Sequence, residues 1–340
     1  MKQYKYSTFS DIVKRFERKK VMVIGDLLLD QFIWGDVSRI SPEAPVPVLL
    51  VNRSDSYMPG GGSNVANNLA ELGAEVYLVG IVGRDSNGEE LKKLLTERQI
   101  NIDGVFTDSS RQTILKTRIM AHHHPYHQQV VRIDREDGHN IPENLSRKIV
   151  EYVEKNIRNV DALIIEDYGK GLITPSLIRK IIRLAKKNDK IISVDPKENH
   201  FNIYKDVSVI TPNRLEAAKA VGFSLGTKEK VKEAGRKLLK DTNSDVVLIT
   251  LGEEGMMLFQ KGKDPQKIAT VAQDVFDVSG AGDTVIGVYT LCRVSGASPR
   301  VAANIANCAA GIVVSRSGTA VVGKEELSKS LKNYMKGQKK

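Results

Sequence analysis

Cysteine is scarce in this sequence of 340 residues, where Cys292 and Cys308 are the only two. Both stand in apolar, helix-like stretches, which suits reduced thiols and provides no CxxC pair for a metal. Long apolar runs are missing as well. None reaches the roughly 18 residues of a membrane span, and Met1 to Lys20 is charged without the hydrophobic core of a signal peptide, so a cytoplasmic protein with no membrane partner is expected. The chain shows no internal repeat, no low-complexity segment and no linker that would separate independent domains; a single domain over 1–340 is expected. Hydrophobic residues make up 41% and charged residues 27%, enough apolar content for a full core, which excludes disordered and collagen-like chains.

Several catalytic fingerprints are absent too. There is no Walker A lysine motif, no GxSxG and no HxGH. No GxGxxG follows the apolar run Val21 to Gly25, which argues against an NAD-dependent oxidoreductase, the runner-up class for an alternating α/β chain. The formal net charge is +10, yet nine of those ten excess charges lie in residues 1–20 and 324–340. Short Lys-rich ends read as solvated helix faces or tails, so no nucleic-acid partner is expected.

What is present alternates. Short apolar runs at Val21 to Gly25, Val76 to Val82, Ala162 to Ile165, Ile191 to Val194, Val207 to Ile210 and Val246 to Thr250 read as buried strands. Between them, amphipathic patterns predict helices near Asn64 to Leu72, Gly88 to Gln99, Pro142 to Ile157, Ser176 to Lys187 and Lys228 to Leu239. The alternation predicts a mostly parallel sheet covered by helices on both faces. Gln31 to Arg53 and Thr113 to Asp134 break it. Their β-like patterning, with Pro42, Pro45 and Pro47 at edge positions, predicts an antiparallel flap or lid. Ala281 to Arg316 reads as helical and rich in small residues.

The most specific segment is Asp277-Val278-Ser279-Gly280-Ala281-Gly282-Asp283-Thr284, a glycine turn entering a helix. The N–H groups of Ala281, Gly282 and Asp283 are expected to point outward at a helix N-terminus, where an anion binds favourably. Asp283 there is suited to take a proton from an attacking hydroxyl, or simply to cap the helix; the local pattern leaves both open. Pro59-Gly60-Gly61-Gly62-Ser63-Asn64 is a second glycine turn into a helix, and Asn64 and Asn67 share its face. Amides suit polyhydroxylated ligands. Asp30 could accept from two adjacent sugar hydroxyls or cap a loop. Asn213 and Glu216 stand one turn apart after a strand, at the edge where α/β sheets bind ligands. Glu216 could hold Mg²⁺ through water, or cap the helix. Asp195 with Lys197, and Asp167 with Lys170, also end strands.

Together these residues resemble the ribokinase-like sugar kinase family over about Lys20 to Leu331, with its two signatures at Gly60 to Asn68 and Asp277 to Thr284. Within it, Ser41 to Val48, Gln128 to Asp134 and Val275 to Gly287 are similar to the heptose 7-phosphate kinases. The resemblance implies a three-layer α/β/α sandwich with a small β lid, formed by about 31–53 and 113–134, and transfer of the ATP γ-phosphate to the anomeric hydroxyl of D-glycero-D-manno-heptose 7-phosphate. It makes Asp283 the catalytic base and Gly280, Ala281 and Gly282 the anion hole. Asp30, Gly61, Gly62, Asn64 and Asp167 would hold the sugar, while Asp195, Lys197, Asn213 and Glu216 would organise ATP and Mg²⁺. Thr250, Gly252 and Gly255 look like the nucleotide-side turn, with Asn304, Cys308 and Gly311 near adenine. Lys116, Arg118 and Arg132 are candidates for the substrate phosphate, on charge-assisted bonding. Another sugar, sugar phosphate or nucleoside is the alternative substrate, and a homodimer through the lid is expected.

Two departures stand out. Many such kinases are fused to a nucleotidyltransferase with HxGH; none follows here, so only the kinase step is expected. His122, His123, His124 and His127 crowd one loop, where a polar lid loop is expected rather than a metal site, because no Cys or carboxylate joins them at ligand spacing.

Overall fold

A computed structural model describes residues 6–51, 55–123, 126–272, 275–316 and 318–337. Apolar strand runs that lack hydrophobic alternation must be buried on both faces, and that is how they fold. The main sheet has nine strands in the order Gln266–Ile268, Met256–Gln260, Val246–Thr250, Val209–Ile210, Ile191–Asp195, Ala162–Glu166, Lys20–Gly25, Glu75–Gly83 and Asn101–Asp108. The strands from Val246–Thr250 to Asn101–Asp108 are all parallel, and the other two are antiparallel.

Successive side chains on a strand point to opposite faces. On Lys20–Gly25, Val21 and Val23 pack with Val65, Leu69, Ile286 and Ala306. Met22 and Ile24 face the other way, into a second cluster that includes Ile149, Ile178, Ile181 and Leu238. Three layers result. Caps start the helices locally: Asp85, Thr174, Thr227 and Ser298 each accept a first-turn N–H, a contact typically worth about 1 kcal/mol.

The described part of the basic C-terminal end is a helix face. Leu327 and Leu331 of Lys324–Gly337 are fully buried while Lys329, Lys332 and Lys336 are exposed. No helix among the described residues is long and apolar enough to cross a membrane.

A second sheet stands off the first. Leu27–Ile40 is its spine, pairing with Ser56–Gly61 along its first half and Pro47–Val51 along its second, and with Ile114–His123, which pairs in turn with Tyr126–Arg135. Pro47 opens an edge strand, as its missing N–H requires. The expected antiparallel flap is instead a mixed sheet, because Leu27–Ile40 and Ile114–His123 run parallel. Their connection passes through the main sheet, which frees them from hairpin geometry. Pro59-Gly60-Gly61 is strand rather than turn.

Other boundaries also moved. Ala281 to Arg316 is two helices, Ala281–Val294 and Pro299–Val313, broken where Gly296 takes a left-handed φ of 90° and Ser298-Pro299 restarts the chain. Val207 and Ser208 precede the short strand Val209–Ile210 rather than belonging to it. Arg53, His124 and Pro125 lie outside the described residues, as do the side chains of His122, His123, Tyr126 and His127.

Candidate active site

Parallel strands bring their carboxyl ends to one edge, and the register is tight there: Glu166 lies between Gly25 and Asp195. Above this edge begins the helix Ala281–Val294. Its cap, Gly280, has φ 74°, and a Cβ at that position would come within 2.7 Å of the Asn64 amide nitrogen. Only glycine fits both demands. The N–H groups of Gly282 and Asp283 are in the first turn and have no intrahelical carbonyl to bind. Ala281 departs from the sequence expectation, because its N–H donates to the Val278 carbonyl at 3.2 Å.

Asp283 is buried, with 3% exposure. The Asn64 amide donates to Oδ2 at 2.6 Å, and the Tyr168 hydroxyl donates to Oδ1 at 3.0 Å. Burial pushes the carboxyl up to about 6, against the pull of those two donors. Such a group can be ionised at neutral pH yet still accept a proton. Asn64 is thus turned to the carboxylate, and is itself held by Asn68, whose amide donates to the Asn64 carbonyl and Oδ1.

A cavity of about 450 Å³ opens in front of Asp283 and Gly280, and it is lined by Asp30, Lys116, Arg118 and Arg132 from the second sheet. Gly61 also lines it. The cations there have partners. Arg118 pairs with Asp30, both buried, and lies over the Phe32 ring. Lys116 is 3.1 Å from Asp134, which also takes two bonds from Arg132. Glu136 bridges Lys116 and Lys170 at 3.6 and 2.6 Å. Partly exposed pairs of this kind are worth about 0–1 kcal/mol, so a phosphate can exchange with Asp134 or Glu136 at small cost.

Beside Asp283 lies an acidic cluster. Oxygens of Glu166, Asp195 and Asp283 fall within 4.8 Å of one another. Burial, then the charge of Asp195, holds the Glu166 carboxyl well above its usual range. Burial, then Glu216, does the same to Asp195. Glu166 Oε2 is buried without a hydrogen-bond partner among the described residues. Oxygen-only donors, crowded and under-neutralised, fit a hard divalent cation. Glu216 adjoins the cluster while forming a capping box with Asn213: Glu216 Oε2 accepts the Asn213 N–H, and Asn213 Oδ1 accepts from Leu215 and Glu216.

The remaining residues divide. Asn213 bridges to Thr250, next to the turn of Gly252 and Gly255, so this group is brought together. Lys197 lines the cavity with Asp283 instead. Asn304 and Cys308 are buried among helices: the Asn304 amide bonds the Arg300 carbonyl and the Tyr334 hydroxyl, and burial pushes the Cys308 thiol up to about 12. Gly311 packs against Val271. The carboxylate of Asp167 is taken by the Tyr204 hydroxyl, His200 Nδ1 and the Gly169 N–H. Lys170, expected at this edge, lines the cavity, whereas sequence reasoning missed Glu166, Tyr168 and Asp26. The available signal for Glu166 was an acid ending an all-apolar strand.

This three-layer sheet, with a glycine-capped helix end facing a buried carboxylate and a second sheet over the opening, is that of a carbohydrate kinase. Residues 18–326 match the pfkB family carbohydrate kinases, and the chain belongs to that family. It is similar to the bifunctional protein HldE of Desulfatibacillum aliphaticivorans, with 42% identity over 321 residues, covering 94% of this chain and 65% of that protein. The bifunctional protein HldE of Geobacter sulfurreducens is 41% identical over 310 residues, covering 91% of this chain and 62% of its own length. The chain thus spans less than two thirds of these relatives. In fold it resembles Arabidopsis thaliana ribokinase complexed with ribose and ATP, at TM-score 0.70 and 19% identity over 93% of this chain and 99% of that one. Escherichia coli phosphofructokinase-2 with substrates and products aligns at TM-score 0.75 and 19% identity over 94% and 99%.

Proposed function

We propose that this kinase transfers the γ-phosphate of ATP to the anomeric hydroxyl of D-glycero-D-manno-heptose 7-phosphate. One observation carries the reading: the Asp283 carboxylate, the Gly280 helix end and the cations Lys116, Arg118 and Arg132 share a cavity. A sugar phosphate with its anomeric end at Asp283 directs its own phosphate toward those cations. Asp283 takes the hydroxyl proton as the oxygen bonds to the γ-phosphorus, and the bond to the bridging oxygen of ADP breaks. The N–H groups of Gly282 and Asp283 face the charge that develops on the phosphoryl oxygens. Asp30 and Gly61 meet the sugar hydroxyls. Glu166 and Asp195, with Glu216 through water, would hold Mg²⁺, which when bound neutralises phosphate charge. The Asn213, Thr250 and Gly252 group takes the nucleotide side. ATP as donor fits a cytoplasmic site of action.

A panel of sugars and sugar phosphates assayed for ADP release tests this reading. Heptose 7-phosphate should have the highest kcat/KM, and Lys116→Gln or Arg132→Gln should raise its KM roughly tenfold while leaving unphosphorylated sugars little changed. Preference for an unphosphorylated ring would refute the assignment.

The same reading includes a homodimer through the second sheet. Ile40, Val51 and Val131 are 61%, 55% and 48% exposed, and the register puts them on the face opposite Lys116 and Arg132, with no cover among the described residues. One face serves the cavity; the other needs a partner, and a second copy offers the matching sheet. Light scattering should give a dimer at micromolar concentration, and Val51→Asp/Val131→Asp should give a monomer. A monomeric unmodified protein would refute it.

A further inference from the structure

Tyr168 is the side chain of its loop that reaches the base, and the loop is fixed by a disproportionate set of restraints. The buried Asp26 carboxylate accepts three N–H groups, those of Tyr168 at 3.1 Å, Lys170 at 3.0 Å and Leu172 at 3.2 Å. Alternate N–H groups converging on one anion make a rigid concave turn. Gly171 permits it with φ 91°, since a Cβ there would stand 2.0 Å from the His139 carbonyl oxygen. Arg111, paired with Asp108, donates to the Lys170 and His139 carbonyls. Asp167 is tied to Tyr204 and His200 on the other side. What these restraints position is the Tyr168 hydroxyl, 3.0 Å from Asp283 Oδ1 and on the cavity wall.

We propose that Tyr168 is a positioning residue for the phosphoryl transfer, holding the Asp283 carboxylate in the plane that presents its free lone pair to the acceptor hydroxyl. This rests on the reading of Asp283 as the base. Asn64 fixes Oδ2 from the opposite side, and two donors on different oxygens define a plane where one leaves a hinge. The cost of misplacing a general base is paid in kcat rather than in ground-state binding.

The test is Tyr168→Phe, which keeps the ring and removes the hydroxyl, measured alone and on Asp283→Asn. We expect kcat to fall about tenfold, with KM for the sugar phosphate within about twofold and an unchanged melting midpoint. On Asp283→Asn the same change should leave the residual rate unaltered, because a residue acting only through Asp283 has nothing left to act on. A normal kcat, a rise in KM alone, a loss of sugar-phosphate binding by calorimetry, or an additional loss on Asp283→Asn would each overturn the proposal. If Asp283→Asn is inactive and Tyr168→Phe is normal, only this role fails; if Asp283→Asn is active, the base assignment fails first.

Discussion

Asp283→Asn is expected to lower turnover by about 10³-fold, within the range of roughly 10²–10⁴ for loss of a general base, while leaving ATP binding measurable. The amide has the shape of the carboxylate and can still accept the Tyr168 hydroxyl, so the helix end and the Gly280 turn stay in place. It cannot take the proton of the attacking hydroxyl. Coupled assay of ADP release and calorimetry with ATP separate the two effects. Near-normal turnover would remove Asp283 from the chemistry and leave it a helix cap. Because the ionised form is needed, turnover of the unmodified enzyme should decline as the pH falls toward and below about 6, and a cation bound beside the carboxylate draws that limb lower.

The framework was readable because burial writes itself into composition. Val21 to Gly25 and Ala162 to Ile165 carry no alternation, which only a doubly covered strand tolerates, and both are central strands. Gly280 and Asp283 were readable because a left-handed cap and a helix-end carboxylate need those residue types. Edge strands were not: Asn101–Asp108 is only partly buried, and its sequence, mixed in polarity, looks like loop. The direction of Ile114–His123 against Leu27–Ile40 depends on a long connection through the main sheet, which leaves no local trace. Glu166 and Tyr168 escaped because their meaning lies in pairings across the sheet, to Asp195 and Asp283, that no sequence spacing encodes.

The charge distribution belongs to the same account. With the interior nearly neutral, attraction for a nucleotide and a sugar phosphate comes from placed groups. In this structure most of the cavity cations are already satisfied by Asp30, Asp134 and Glu136. Paired cations are held in defined positions, which lowers the ordering cost when an anionic ligand takes over one of the partners.

The acidic cluster lacks such balance, and the double variant Glu166→Gln/Asp195→Asn should expose it through two effects of opposite sign. Turnover at saturating ATP should fall about 10²–10³-fold, the scale of several kcal/mol for lost charge stabilisation of a transferring phosphoryl group. The melting midpoint without divalent ions should rise, because a buried and a half-buried carboxylate whose charged forms are disfavoured are replaced by neutral amides of the same size. Stability gained where function is lost is the expected signature of residues kept for a ligand. Mg²⁺ should raise the midpoint of the unmodified protein and leave the double variant unmoved, a readout independent of activity. A double variant that keeps both the Mg²⁺ shift and its turnover would place the ion elsewhere, and one that melts lower without Mg²⁺ would show that the two acids serve the fold.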